Sequence, residues 1–161
     1  MTQIFVAIIA GVLTLITAII MNWHKNRQEG ISLKRAIIGE IESLLLLIKT
    51  RNYKQNLNIW IEDIKNGREL SRKSFMSNPN NNYFLIFESN ASKIGKLPSK
   101  STTYVVQFYT LLKSLLEDAV NEELYTRPND KIIETLKENI DILEYTIQVG
   151  ENAVKKLKGQ D

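Results

Sequence analysis

The chain has 161 residues, 43% hydrophobic and 24% charged, with a formal net charge of +3, one histidine and no cysteine. The missing cysteines exclude a disulfide framework and thiolate chemistry, and a lone histidine cannot by itself build a metal cluster or a Ser/His or Cys/His nucleophile pair. The length is that of one domain with a real core.

The first informative stretch is Ile4–Met21, eighteen residues without a charge whose only polar side chains are Thr14 and Thr17. As a helix it would be about 27 Å long, close to the thickness of a hydrocarbon core. No basic n-region precedes it, and Ile19-Ile20-Met21-Asn22-Trp23 is a poor cleavage site, so it reads as a retained transmembrane helix rather than a signal peptide. Basic residues flank it only on the C-terminal side, at Lys25, Arg27, Lys34 and Arg35. The positive-inside bias then places the N-terminus outside and the rest in the cytoplasm, with Trp23 as interfacial anchor. Ala7, Gly11, Thr14 and Ala18 share one face at spacings of four, three and four. Small residues in such a line let helices approach closely in lipid, which predicts a parallel homo-oligomer. The domain division follows: 1–29 for the membrane helix and its flank, 30–161 for a cytoplasmic domain.

Beyond Trp23 the periodicity is helical throughout. Ile31, Ile37, Ile38, Ile41, Leu44, Leu45 and Ile48 mark one helix, joined to the membrane helix directly or through a bend at Gly30. Leu57, Trp60, Ile61 and Ile64 mark the next, which stops at Asn66-Gly67. Arg68–Asn82, with Asn78-Pro79-Asn80, reads as a loop. Tyr83–Phe87 has the composition of a strand but no partner strand exists, so it reads as a short helix closing by Gly95. Leu97-Pro98-Ser99 opens a long helix, capped by Ser99 or Ser101, with Tyr104, Val105, Phe108, Leu111, Leu112, Leu115, Leu116 and Ala119 inward. After a turn at Arg127-Pro128-Asn129-Asp130, a final helix carries Ile132/Ile133, Leu136, Ile140, Leu143, Ile147 and Val154, and ends in Lys155, Lys156 and Lys158. The expected fold is all-α: an N-terminal transmembrane helix followed by a helical bundle.

Charge is distributed unevenly. Residues 49–100 hold ten Lys/Arg against four acids, and residues 101–161 hold seven against eleven. Neutralisation within or between protomers is one consequence, and contact of the basic middle with an anionic ligand or membrane surface is the other. Lys93, Lys96 and Lys100, with Ser101 and Thr102, surround the start of the long helix, where free amides and the dipole favour an anion. Arg68 and Arg72 in the preceding loop are candidates to complete such a ligand site or to face head groups. Against this stands the bland reading, that Ser and Thr cap helices everywhere and surface lysines are solvated.

No HExxH, CxxC or glycine-rich phosphate loop occurs, and acid pairs such as Glu122/Glu123 and Glu134/Glu138 read as solvated faces. No Arg precedes His24 at the spacing of the helical HEPN-type RNases. No catalytic residue, metal site or cofactor is expected.

The segments Tyr83–Phe87, Ala91-Ser92-Lys93-Ile94-Gly95-Lys96-Leu97-Pro98 and Tyr104–Leu116, with Phe108-Tyr109, resemble small bacterial proteins that carry an N-terminal membrane helix and a helical cytoplasmic domain. The overall plan also resembles the membrane accessory (Csx-type) proteins of CRISPR defence. That resemblance implies a location in the bacterial inner membrane, a cyclic oligonucleotide or a CRISPR effector complex as partner, and pore formation by some members. The resulting expectation is an oligomeric, pore-forming or membrane-perturbing effector controlled by its cytoplasmic domain, with the bilayer and other copies of itself as partners. The alternative is a membrane-anchored interaction scaffold without pore activity.

Overall fold

The computed structural model describes residues 2–68, 82–120 and 126–160, with side chains described from Gly11 onward and Val120 described in its backbone alone. Among these residues the fold is all-α. Five helices follow one another: α1 (Thr2–Thr50), α2 (Tyr53–Lys65), the short α3 (Leu85–Ser89), α4 (Ser99–Val120) and α5 (Asn129–Lys158), with a 3-10 helix over Ala91–Lys96 between α3 and α4.

Helix α1 does not bend at Gly30. It runs unbroken for 49 residues, and its contact line can be followed as Gly30, Leu33, Ile37, Ile41, Leu44 and Ile48, at spacings of three and four. From Leu33 on, this line is buried, whereas Ile31, which the sequence pattern placed inside, is 37% exposed. The helix ends because Asn52 takes a left-handed conformation (φ 49°), which Asn tolerates better than most residues, and α2 folds back at once. Leu57, Ile61 and Ile64 of α2 are buried as the periodicity requires. Gly67 (φ 73°) closes α2, with its own N–H bonded to the Ile64 carbonyl and that of Arg68 to the Asp63 carbonyl. Gly159 (φ 74°) closes α5 in the same way. Both are Schellman-type ends, where only glycine adopts positive φ without steric cost.

The most extensive packing is between α4 and α5, and α1 and α2 also lie against α5. The α4–α5 approach is close at one point. A Cβ on Gly150 would lie 2.7 Å from the Phe108 ring and 3.2 Å from Leu45 Cδ2. Phe108 is fully buried, so the missing side chain at position 150 is what lets three helices meet around that ring. Val105, Leu112, Leu136, Leu143 and Leu157 continue this core. Two peripheral ion pairs tie the outer helices to α5, Lys54 with Glu144 and Lys158 with Glu42 at 2.7 Å.

Helix α4 starts at Ser99 as expected, but its cap differs. The carbonyl of Pro98 accepts the N–H of Ser101 and Thr102, so Pro98 occupies the capping position. Ser101 is 1% exposed and its hydroxyl has no hydrogen-bond partner among the described residues, so it is a core residue and not a cap. The segment expected to close at Gly95 instead ends α3 at Ser89 and continues as the 3-10 helix to Lys96.

The expected span Ile4–Met21 is helical as part of α1. Among the described residues no helix is long and apolar enough to cross a membrane. Side chains are described over Gly11–Met21 of that span, eleven residues that rise about 16 Å, half of a hydrocarbon core.

Candidate functional site

Two features converge where α1 leaves the bundle. The first is a polar neck. Lys96, at the end of the 3-10 helix, donates to Glu29 Oε2 at 2.5 Å and to Asn26 Oδ1 at 3.2 Å. The Lys96 carbonyl lies 3.4 Å from where a Cβ of Gly30 would stand, so the 3-10 helix runs directly over this glycine. The hydrogen bond and charge of Lys96 hold the Glu29 carboxyl below the usual carboxylate range; Lys93 and Lys25 act in the same direction and desolvation opposes them. Next to Asn26, Arg27 holds its guanidinium 5.6 Å from the centre of the Trp23 ring, one turn back along α1, a cation–π distance. Lys25, Lys93 and Lys96 thus gather their charge on Glu29, less than two turns along α1 from the Trp23–Arg27 pair.

The second feature holds the neck in place. Glu40 of α1 is 9% exposed and faces three donors. Its Oε1 accepts the N–H of Ile86 at 2.7 Å, and its Oε2 accepts the N–H of Phe87 at 3.0 Å and the hydroxyl of Tyr109 at 2.6 Å. The amides belong to the first turn of α3, which has no capping side chain of its own. A carboxylate from another helix therefore does the work of an N-cap. Tyr109 of α4 stacks on Phe87 (3.9 Å, 14°) and meets Phe84 and Phe108 edge-on. Burial first, and the Glu40 hydrogen bond second, push its phenol well above the ordinary value. With α3 pinned between α1 and α4, the 3-10 helix leaves it in one direction only. Ile94 and Leu97 plug into the core and Lys96 faces α1.

The described residues among those singled out in sequence lie on different elements. Lys93 and Lys96 belong to the neck, and Lys100 is exposed in the first turn of α4. Thr102 donates its hydroxyl to the Pro98 carbonyl at 3.1 Å, and Ser101 is buried. Arg68 pairs with Asp63 at 2.9 Å at the end of α2, while the 3-10 helix packs on α1, α3 and α4. Arg72 lies outside the described residues. In the small-residue stripe, Gly11, Thr14 and Ala18 are exposed, and a Cβ on Gly11 would meet nothing within 4 Å; the side chain of Ala7 lies outside the described ones.

Glu29, Glu40 and Tyr109 were not anticipated. A signal for the first two existed: both acids lie on the inward line of α1, and Glu40 interrupts the apolar run Ile37-Ile38-Gly39-Glu40-Ile41. An acid on a buried line requires partners. No protein family, curated protein or solved structure matches the chain.

Proposed function

We propose that the protein is a single-pass membrane effector, in which α1 couples a membrane-inserted N-terminal segment rigidly to a regulatory helical bundle. The observation that carries this reading is the division of labour along one helix. Every described residue from Gly11 to Gln28 is exposed, and from Leu33 the same helix supplies the bundle core. Val12, Leu13, Leu15, Ile16, Ile19, Ile20 and Met21 are 47–67% exposed and point in all directions around the axis. A helix apolar on every side belongs in lipid or within an assembly. Leaving seven such side chains in water forgoes on the order of 10 kcal/mol of burial.

The neck suits this arrangement. Trp23 belongs at an interface, and the basic residues gathered just beyond it are placed for anionic head groups. An unbroken helix transmits rotation or displacement of the bundle to the membrane segment, which favours an effector over a passive anchor. An anionic activator reaching Lys96 would compete with Glu29 and loosen the 3-10 helix from α1, a route by which a nucleotide of the kind implied by the Csx-type layout would act.

The chain lacks cysteine, so single introduced cysteines report topology cleanly. Thr2→Cys is expected to react with an impermeant maleimide from outside the cell, and Lys158→Cys only after lysis. Recovery of the protein in the soluble fraction would refute the membrane reading. Gly11→Ile should reduce the mass of the purified oligomer without affecting the bundle, since nothing in the protomer lies within 4 Å of that position. An unchanged mass removes the stripe from the assembly, and exchange of residues 2–22 for an unrelated membrane helix with full retention of vesicle leakage returns the reading to an anchored scaffold.

A further inference from the structure

An open groove of about 650 Å³ runs down the side of the bundle, between the last turns of α1, the start of α2 and the middle of α5. Its floor is apolar, with Leu45, Ile48, Leu143 and Ile147, and Leu46 stands in it 64% exposed. Helices α1 and α5 run antiparallel here: Lys54 of α2 meets Glu144, Leu45 lies against Gly150, and Glu42 meets Lys158. The two rims carry opposite charge. Lys49 stands on the α1 side and Glu151 on the α5 side, both exposed, and neither forms an ion pair among the described residues.

An exposed leucine on an apolar floor, between one basic and one acidic rim, is complementary to a copy of itself. Such a contact between identical chains is closed by a twofold axis, which makes every residue pair occur twice. Two directions of the axis bring the grooves face to face. An axis lying across the groove sets α1 against α1, with Lys49 opposite Lys49 and Glu151 opposite Glu151. An axis parallel to α1 sets α1 of each copy against α5 of the other. Lys49 then faces Glu151 of the second copy, twice, and each Leu46 lies over Leu143 and Ile147 of the other chain. Like charges across a contact oppose it, so the charges select the second direction. That direction also leaves both N-terminal segments pointing the same way, as two chains in one membrane require.

From this we infer that the occupant of the groove is a second copy of the chain, and that two bundles pair about an axis parallel to α1, with Lys49–Glu151 contacts flanking the two Leu46 side chains. The leucines supply the affinity, and the rim charges fix the register at little net gain. This interface belongs to the bundle and is separate from the small-residue stripe near the N-terminus. It does not rest on the membrane reading, since the charges alone select the axis.

The chain has no cysteine, so Lys49→Cys and Glu151→Cys are introduced singly into full-length proteins that carry different tags, and the two are co-expressed. A short bismaleimide, with a reach similar to that of a Lys–Glu pair, is expected to join position 49 of one copy to position 151 of the other in preference to 49–49 or 151–151. Leu46→Asp in both proteins should lower the mixed product about tenfold or more, the worth of one exposed leucine buried on association. An unchanged melting temperature checks that the bundle still folds, as expected for a side chain 64% exposed. Like-with-like products in equal or greater amount, no product at all, or a mixed product untouched by Leu46→Asp each overturns the inference, and the second of these leaves the groove to a different chain. Mixed product in protein recovered from the soluble fraction would overturn the membrane reading and leave this interface standing. Membrane-bound protein without mixed product does the reverse.

Discussion

Glu40→Gln tests the contact that fixes the neck. The carboxylate faces the amides of Ile86 and Phe87 and the hydroxyl of Tyr109, three donors and no acceptor. The best placement of a glutamine puts its oxygen at the Oε2 position, which keeps Phe87 and Tyr109. Its amide nitrogen then meets the Ile86 N–H at the Oε1 position, 2.7 Å away, donor against donor. That N–H is left unsatisfied in a half-buried site, at about 1–3 kcal/mol, and the two surviving bonds fall from charge-assisted to neutral strength, adding about 1 kcal/mol. The sum is a loss of about 2–4 kcal/mol. Urea denaturation of the full-length protein, followed by circular dichroism at 222 nm, reads this as a lower midpoint at unchanged slope. Because α3 is the element released, its amides should also lose hydrogen-exchange protection before those of α4 and α5. A midpoint shift equivalent to less than about 0.5 kcal/mol, the level of an ordinary surface substitution, would show that the cluster does not hold α3 and refute the reasoning.

The remaining expectations concern single contacts. Burial raises the Tyr109 phenol above its ordinary value of 10.0, so its contribution is fully present below that pH and is lost as pH rises beyond it, when the unfolded chain ionises first. Tyr109→Phe should flatten the decline in stability above pH 10, measured as urea midpoint against pH, and a parallel decline would count against the assigned burial. Gly150→Ala gains about 0.5–1 kcal/mol of helix propensity but drives a methyl into the Phe108 ring, a cost of about 1–3 kcal/mol, so net destabilisation is expected and a raised melting temperature would show that the ring can move. Lys93→Glu, Lys96→Glu and Lys100→Glu together should weaken association of the protein with anionic vesicles, and equal binding to anionic and neutral vesicles by the parent protein would remove the neck from any head-group role.

Much of the architecture was legible in the order of residues because helices bury stripes, and stripes are periodic. Ile37, Ile41, Leu44 and Ile48, Leu57, Ile61 and Ile64, and Leu136 and Leu143 were placed inward by spacing alone and are buried. One helix end was equally local: Gly67, in the expected Asn66-Gly67 stop, adopts the positive φ that such an end requires. What spacing could not supply was the partner of a polar group. Glu40 meets donors 46, 47 and 69 residues away, and Lys96 meets Glu29 across 67 residues. Asn139 and Ser101 likewise look like surface or capping residues until the helices around them are in place. Periodicity records which face is buried, one helix at a time; which charges, amides and rings then share a space depends on how separate helices pack, and that is set only when the chain has closed on itself.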